Sequence, residues 1–398
     1  MADATPRRIA VVTSSRAEYG LLYWTMRALA DDPRAILLVI ATGTHLSRRF
    51  GHTIDAIRAD GFAVAAEVAM DCEDLDGAGA ARAAGQVTRG MADAFAALRP
   101  DLVLVLGDRF EILAAAQAAY LARIPLAHIH GGEVTGGSFD DGIRHAITKL
   151  SRLHLTTTQA HRQRILQLGE DPQWVHTVGA PGIENLSKVE IDDRSAFERR
   201  IGMQLGQITA LVTYHPATAA DEPPDLAMQA LLDALFEFSG MAVLATGSNA
   251  DPGAARVMTV LAAARERYGE RLALHGSLGV VGYASALAHC DLMIGNSSSG
   301  LIEAPSAGIP TVNIGLRQQG RPRAPSVIDC SASLASIRTA VAQALSPRFR
   351  AQAARRENPY AERGLDVSRR IVEHLLGAEA NALRTPKPFV DIVVTGVQ

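Results

Sequence analysis

Short apolar runs alternate with Ala- and Leu-rich stretches along most of this sequence. Runs such as "RIAVVTSS", "AILLVIATG", "DLVLVLGD" and "PLAHIHGG" are apolar at successive positions rather than at every second one. Strands of this kind are typical of a parallel sheet that helices cover on both faces. The alternation lapses into a charged stretch and restarts at "ITALVTYHP", "MAVLATGS", "RLALHGS", "CDLMIGN" and "IPTVNIG". We therefore predict an α/β protein with two doubly wound domains, joined near residues 186–207.

Length and composition agree with this prediction and exclude several classes of protein. The 398 residues exceed what one hydrophobic core usually serves. A net charge of −3 gives no basic excess, which argues against nucleic acid as a partner. The three cysteines (Cys72, Cys290 and Cys330) form no CxxC pair, so neither a disulfide framework nor a zinc cluster is expected. The sequence contains no apolar stretch long enough for a signal peptide or a membrane span, and we expect a soluble cytoplasmic protein.

The loop after the first apolar run is a candidate anion site. In doubly wound sheets, ligands bind at the carboxyl ends of the strands. "VVTSSRAEYG" places Ser14, Ser15 and Arg16 before a helix, whose free N–H groups attract anions. The loop lacks the GxGxxG and GxxxxGK[ST] patterns of dinucleotide and P-loop sites. The alternative is structural, with Ser15 as a simple N-cap and Arg16 in solvent.

Histidines and carboxylates follow two later strands. Asp108 lies one residue beyond "LVLVLG", where it could instead cap the following helix. In "HIHGGEVTGGSFDDGIRH", strand alternation sends His128 and His130 to one face, and Glu133 follows two glycines. H-x-H with one distant glutamate does not make a closed metal-ligand set. We interpret His128 and His130 as supporting residues.

A helix should begin within "GSFDDGIRHAITKL". Asp140 or Ser138 can cap it, which places the pairs Asp140–Arg144 and Asp141–His145 at i, i+4 on its surface. For Asp141 and His145 we favour this purely structural interpretation.

The second half carries the most specific loop, "DLMIGNSSSGLIEAPSAGIP". Ser297 and Ser298 stand between an apolar strand and a helix, where hydroxyl and N–H groups suit a diphosphate. Glu303, about one turn on, suits the vicinal hydroxyls of a ribose. A flexible Ser/Gly loop is the alternative. His215 ends the first strand of this half, and "IGLRQQGRPRA" offers three counter-charges, which are Arg317, Arg321 and Arg323.

These segments resemble a known family. "TSSRAEYG", "LGDRFEI", "HIHGGEVTGGSFDDGIRHAITKLSRLH", "HP" after a strand, "GSNAD" and "GNSSSGLIEAPSAGIPTVNIGLRQQGR" are similar to the UDP-N-acetylglucosamine 2-epimerases. The similarity runs from about Arg8 to about Leu376 and is greatest to the hydrolysing branch that feeds sialic and legionaminic acid synthesis. It implies two Rossmann-like domains facing across a cleft in the GT-B arrangement. It also implies a homodimer or dimer of dimers, with no cofactor and no metal.

The resemblance also implies boundaries and roles. It suggests a first domain over 1–188, a UDP-binding domain over 189–362, a helix over 363–378 that packs back on the first domain, and a tail over 379–398 without an assigned role. The matching catalytic positions are Asp108, Glu133, Asp140 and His215. The matching positions for binding the UDP-sugar are Arg16, Arg144, Ser297, Ser298, Glu303 and Arg321.

The implied chemistry fits these residue types. The C2 proton of an N-acetylhexosamine is not acidified by an adjacent carbonyl, so elimination of UDP to a 2-acetamidoglycal is the economical route. Water then adds with the opposite C2 configuration. Departure of UDP needs cations and N–H dipoles, and proton transfer needs at least two separately tuned groups.

Hydrolysis is favoured over reversible epimerisation by the first loop. "SSRAEYGLL" lacks the lysine that the non-hydrolysing branch carries there, so we predict a free ManNAc-type sugar and UDP. The substrate is UDP-GlcNAc or UDP-N,N'-diacetylbacillosamine, and the sequence does not separate them. The alternatives are a non-hydrolysing epimerase, a GT-B glycosyltransferase, and a nucleotide-sugar sensor without turnover.

Overall fold

The computed structural model describes residues 5–72, 77–136, 139–216, 223–247, 253–361 and 363–391. They form two compact units, each built on one parallel sheet. The first unit comprises Met1–Glu133, Asp140–Pro181 and Arg363–Gln398, and the second comprises Val134–Phe139 and Gly182–Glu362. The prediction of two Rossmann-like, doubly wound α/β domains is confirmed.

The sheet of the first unit contains seven strands. They are β1 (Arg7–Thr13), β2 (Ala35–Thr42), β3 (Val64–Val68), β4 (Leu102–Leu106), β5 (Leu126–Ile129), β6 (Leu153–Thr156) and β7 (Val175–Thr177). Their order is β3-β2-β1-β4-β5-β6-β7, and neighbours pair in parallel. The direction of strand order reverses between β1 and β4. The loops that follow these two strands therefore lie side by side at the carboxyl edge.

The sheet of the second unit contains six strands. They are β8 (Ile208–Thr213), β9 (Met241–Thr246), β10 (Leu272–His275), β11 (Leu292–Gly295), β12 (Thr311–Ile314) and β13 (Val327–Cys330). Their order is β10-β9-β8-β11-β12-β13, again parallel. The reversal between β8 and β11 brings the loops after those strands together. Both sheets thus have the switch point at which doubly wound folds bind ligands.

Helices connect and cover the strands. They are α1 (Arg16–Asp31), α2 (Ile54–Ala59), α3 (Gly77–Leu98), α4 (Phe110–Leu121), α5 (Asp140–Leu150), α6 (Gln159–Gln167), α7 (Pro181–Lys188), α8 (Arg194–Ile201), α9 (Pro224–Phe236), α10 (Ala254–Tyr268), α11 (Gly279–His289), α12 (Ser299–Ile302), α13 (Ala304–Ala307), α14 (Leu334–Ala344), α15 (Pro347–Ala353), α16 (Val367–Gly377) and α17 (Ala380–Arg384). Short 3₁₀ turns occupy Gly43–Leu46, Arg48–Phe50, Pro172–Trp174, Gly269–Arg271 and Pro359–Ala361. Within the described parts of the chain, no helix is both long and apolar enough to cross a membrane.

Continuous apolar strands are explained by a core on each face of each sheet. In β1, Ile9 and Val11 pack into one cluster, and Ala10 and Val12 pack into another on the opposite face. In the second unit, Val212 and Leu211 divide in the same way between two clusters. Since each successive side chain points to the opposite face of a sheet, both faces require apolar residues.

The ends of the units differ in part from the expected boundaries. The contacts place the first boundary at Pro181 rather than after residue 188, because Leu186 of α7 packs with the second unit's core. The segment Val134–Phe139 also groups with the second unit. Helix α16 lies in the first unit, where Val367 and Ile371 are buried with the residues of α1.

Candidate functional site

The loop after β1 is held by a capped helix start. Ser15 is the N-cap of α1, and its side chain accepts a hydrogen bond from the N–H of Glu18. The Glu18 carboxylate in turn accepts from the N–H and the hydroxyl of Ser14, each at 2.8 Å. Arg16 is the first residue of α1 and is exposed. The capping interpretation of Ser15 is therefore confirmed, and Arg16 stays a proposed anion contact.

Glu18 belongs to a buried charged cluster that spans the switch point. Arg109 Nε lies 2.5 Å from Glu111 Oε1 and 4.0 Å from Glu18 Oε1. Both glutamates are buried. Burial, reinforced by the charge of Glu111, raises the pKa of Glu18 to about 7. The cluster ties the start of α1 to the start of α4.

His128 fixes the backbone just before Asp108. Its Nε2 lies 2.7 Å from the carbonyl of Gly107, and its Nδ1 lies 3.2 Å from the hydroxyl of Thr148. A carbonyl only accepts, so we assign the proton to Nε2. Burial lowers the pKa of His128 to about 3, which keeps the ring neutral. The structure thus gives His128 a supporting position between β4 and α5.

Asp108 is paired with a buried arginine. Arg109, not Asp108, is the N-cap of α4. The Arg144 guanidinium from α5 donates to Asp108 and, at 3.2 Å, to Asp141 Oδ1. The Arg144 side chain is 3% exposed and that of Asp108 is 23% exposed. Asp108 is consequently fixed in direction while it keeps one accessible side.

Helix α5 begins at Asp140, which is partly exposed in its first turn. Asp141 also pairs with His145, whose Nε2 lies 3.5 Å from Asp141 Oδ2. The i, i+4 pairing expected for these two residues is present. Ser138, the other expected cap, lies outside the described residues.

Glu133 is the centre of a buried hydrogen-bonded chain. His130 Nδ1 lies 3.0 Å from Glu133 Oε1, and the Thr157 hydroxyl donates to the same oxygen at 3.0 Å. His161 Nδ1 lies 2.7 Å from that hydroxyl. All four residues are buried. His130 therefore contacts a proposed catalytic residue directly.

In the second unit, an asparagine joins the loops after β8 and β11. His215 N donates to Asn296 Oδ1, and Asn296 Nδ2 donates to His215 O, both at 2.7 Å. Just before it, Gly295 approaches β8 so closely that a Cβ would lie 2.0 Å from Thr213 O. Arg317 and Gln318 donate to the carbonyl of Asn296. His215 and the serine run are thus fixed to one another through the backbone.

The serine run stands where a strand becomes a helix. Ser298 is the N-cap of α12, and Ser297, Ser298 and Ser299 are all partly exposed. Tyr283 donates its hydroxyl to Ser299 Oγ at 2.6 Å. The partly exposed hydroxyls leave room for a ligand at this edge. Of the "GSNAD" segment, residues 248–251 lie outside the described residues.

Glu303 and Arg321 have definite structural surroundings. Glu303 stands between α12 and α13 and lies against Gly182, where a Cβ would be 1.7 Å from its Oε1. Arg321 donates to Val134 O at 2.8 Å and to the Thr135 hydroxyl at 3.3 Å. Their proposed contacts with ribose and diphosphate stay predictions.

Sequence reasoning missed several residues that build this site. Glu18 stands three residues after Ser15, which is the spacing of a capping box and could have been recognised. Asn296 lies inside the "GNSSSG" segment, but its two bonds to His215 join residues 81 positions apart. Glu111, Thr157 and Tyr283 carry no sequence signal that we can identify. Among the described residues, no group of three or more His, Cys, Asp or Glu side chains could hold a metal ion.

Comparison with known proteins gives consistent matches. Residues 27–376 match the family model for UDP-N-acetylglucosamine 2-epimerase. The chain is 34% identical over 340 residues to the UDP-N,N'-diacetylbacillosamine 2-epimerase (hydrolyzing) of Legionella pneumophila, a match that covers 85% of this chain and 89% of that protein. It is 33% identical over 388 residues to the polysialic acid biosynthesis protein P7 of Escherichia coli, with 97% and 98% covered.

A solved structure has the same fold. The UDP-GlcNAc 2-epimerase from Neisseria meningitidis, determined with UDP-GlcNAc bound, matches with a TM-score of 0.78 at 18% identity. The match covers 93% of this chain and all of that one.

Proposed function

The chain belongs to the UDP-N-acetylglucosamine 2-epimerase family, and we propose that it is a hydrolysing member that converts a UDP-N-acetylhexosamine into the free 2-epimeric sugar and UDP. The observation that carries this proposal is that the Asp108–Arg144 ion pair follows β4 and the His130–Glu133 pair follows the neighbouring strand β5, at the same edge of the sheet. A site for proton transfer at carbon requires oriented acid–base groups, and these pairs supply them.

The proposed reaction has two steps. In the first step, a base removes the C2 proton, and the electrons of the C2–H bond form the C1–C2 double bond. At the same time the C1–O bond breaks, and its electrons leave with UDP. In the second, water oxygen bonds to C1 and a proton returns to C2 on the opposite face. The product is a ManNAc-type sugar, and one water molecule is consumed.

We assign proton transfer and its positioning to the first unit. Asp108, Glu133 and Asp140 are the proposed carboxylates, of which Asp108 and Asp140 are partly exposed and Glu133 is buried. Arg144 holds Asp108 in place by a charge-assisted hydrogen bond. Arg16, exposed at the start of α1, is proposed to contact the diphosphate.

We assign UDP to the second unit. Ser297 and Ser298 offer hydroxyls at the start of α12, Glu303 is proposed for the ribose, and His215 is held beside the serine run by Asn296. Arg321 is proposed to counter the diphosphate charge, as the family resemblance implies. These donors would stabilise UDP as it leaves, which is the part of the reaction that develops most negative charge.

Two UDP-sugars are candidate substrates, because relatives are named for UDP-N,N'-diacetylbacillosamine and for UDP-N-acetylglucosamine. The Legionella relative is named for UDP-N,N'-diacetylbacillosamine, and the E. coli relative is named for polysialic acid biosynthesis. Each UDP-sugar should be incubated with the protein without an acceptor, in ¹⁸O-water and in D₂O. We expect UDP release, ¹⁸O at C1, deuterium at C2 and inverted C2 configuration with one of the two.

Other outcomes contradict the proposal. A mixture of two UDP-sugars without free sugar would identify a non-hydrolysing epimerase. Release of sugar with unchanged C2 configuration would indicate a hydrolase or transferase. Absence of turnover with tight UDP-sugar binding would indicate a sensor.

We further propose a homodimer or dimer of dimers that requires no metal. Light scattering coupled to gel filtration measures the assembly, and a monomeric mass would contradict this. Turnover should persist in EDTA, and its restoration only by added Mg²⁺ would show that a metal takes part.

A further inference from the structure

We propose that the imidazole of His130, positioned by Glu133, is the group that moves the proton at C2 of the sugar. This inference rests on the proposed function. It changes the interpretation of His130 as a support and makes Glu133 a positioning residue.

The hydrogen bonds define which nitrogen of His130 is basic. A carboxylate accepts and does not donate, so His130 Nδ1 carries the proton that faces Glu133 Oε1. The lone pair of the neutral ring then lies on Nε2. Thr157 donates to the same carboxylate oxygen and holds it in place. A carboxylate that fixes the tautomer and direction of an imidazole is the arrangement found in catalytic triads.

Nε2 of His130 is buried and has no hydrogen-bond partner among the residues the structure describes. Of the other buried histidines in this unit, His128 and His45 use both ring nitrogens on neighbouring groups, whereas Nδ1 of His154 also has no partner among the described residues. A buried polar atom without a partner costs free energy, which a substrate group could recover. In the His130–Glu133 pair, the side chain of His130 is 10% exposed and that of Glu133 is 1% exposed. His130 is therefore the more exposed member of the pair.

The backbone holds His130 in an uncommon conformation. His130 has φ +67°, in the left-handed region that non-glycine residues seldom adopt. Gly132, two residues on, has φ +78°, and a Cβ there would lie 2.3 Å from His161 O. Arg164 donates to the carbonyl of Gly132 and secures the turn. Such strain costs free energy and tends to persist where it positions a reacting group.

His130 also stands in the right place along the sheet. It follows β5 directly, and Gly107 N donates to the carbonyl of Ile129 at 3.1 Å. His130 is therefore level with the loop that carries Asp108. The two groups at this edge can serve the two faces of a sugar ring, since epimerisation requires the proton to leave from one face and return on the other.

In the proposed step, His130 Nε2 takes the C2 proton and becomes an imidazolium as UDP leaves C1. Glu133 stabilises that positive charge through Nδ1–H. When water adds to C1, the proton that the water loses is passed by Asp108 or Asp140 to C2 on the opposite face. Loss of the Nε2 proton then restores the neutral ring.

The test uses two replacements that tolerate the left-handed conformation. His130→Asn keeps a short side chain that adopts positive φ, and His130→Gly removes the ring without backbone strain. We expect kcat to fall by ~10²-fold or more in both, with UDP affinity within about threefold of wild type. We expect added imidazole to restore His130→Gly at least tenfold, and Glu133→Gln to shift the pH profile of kcat. His52→Asn, a change of the same type at a partly exposed histidine that also has a positive φ, is the matched control.

Two outcomes would overturn the proposal. One is a kcat for His130→Asn within about threefold of wild type. The other is a loss of turnover accompanied by a loss of UDP binding, with no effect of imidazole on His130→Gly. Failure of the proposed function would differ, because the wild-type protein would then release no UDP from either UDP-sugar.

Discussion

In the first unit ion pairs join the strand-end loops, beside the bond from His128 to the Gly107 carbonyl, whereas in the second unit an uncharged amide bonded to the backbone joins them. Arg144 joins Asp108 to Asp141, and Arg109 joins Glu18 to Glu111. Asn296 instead bonds to both the N–H and the carbonyl of His215. The same parallel topology supplies both switch points, so the difference comes from the side chains alone.

The difference follows from what each edge is proposed to bind. Proton transfer requires groups whose pKa is adjusted to the reaction. Burial and neighbouring charges are what shift a pKa, and buried ion pairs provide both. Binding of an anion requires N–H and hydroxyl groups at fixed positions, and an asparagine fixes backbone without adding charge. Substitutions in the two edges should consequently separate turnover from UDP affinity.

The largest effect is expected on kcat, when a carboxylate charge is removed from the first unit. Asp108→Asn should lower kcat by ~10²-fold or more, because Arg144 would lose its charged partner and a proposed acid–base group would disappear. UDP affinity by calorimetry should change by less than about threefold. Asp140→Asn should behave in the same way. Asp55→Asn, at an exposed ion pair with Arg58, is the control. Near-normal turnover in both site variants would remove the proposed role of these carboxylates.

A smaller effect, on UDP affinity, is expected when the side-chain amide of Asn296 in the second unit is changed. Asn296→Asp replaces the donor to His215 O with an acceptor, so two oxygens would face each other. We expect UDP affinity to fall about 30-fold, with a smaller change in kcat. Gln352→Glu removes a similar bond, from Nε2 to the carbonyl of Pro325, at a distant position and serves as control. If Asn296→Asp lowers kcat alone, the contrast between the two edges is wrong.

Substitutions in the serine run should also lower UDP affinity, but by less than Asn296→Asp does. Ser298→Ala and Glu303→Ala each remove one proposed contact, so UDP affinity should fall about tenfold. Ser331→Ala, on the exposed loop after β13, controls for loss of a hydroxyl. Unchanged affinity in both variants would place UDP elsewhere.

The smallest effect concerns stability, not turnover. Glu18 has its pKa raised to about 7 from an ordinary 4.5, so the folded chain binds a proton that the unfolded chain releases. Its contribution to stability is complete below pH 4.5 and is lost as the pH rises through about 7. Between about pH 5 and about pH 8, the melting temperature of wild type should fall by a few degrees relative to Glu18→Gln. Glu67→Gln, at an exposed pair, is the control.

The sequence predicted the fold well where strands are buried on both faces. It missed β3, β6, β7 and β13. Strand β3 alternates between partly buried and exposed residues, and β13 is only partly buried, so neither forms a continuous apolar run. Strands β6 and β7 are short and lie beyond β5 at one end of their sheet.

Site residues could be predicted by position, but their partners could not. Asp108 and Ser298 are recognisable because they follow apolar runs. The Arg144–Asp108 pair joins residues 36 positions apart, and its existence depends on how α5 lies against the loop after β4. The orientation of His130 likewise depends on its positive φ, which the sequence does not predict.

The first unit is completed by residues from the far end of the chain. Val367, Ile371 and Leu375 of α16 are buried in the same core as Ile9, and Arg7 donates to the carbonyl of Ala378. During synthesis, the residues between Pro181 and Arg363 must be added before this core can close, which takes about 10 to 40 s at typical elongation rates. The apolar surface of β1 and α1 that α16 covers therefore stays exposed until the second unit has been synthesised. The first unit, although its residues are synthesised first, can therefore complete its core only after the second unit has been synthesised.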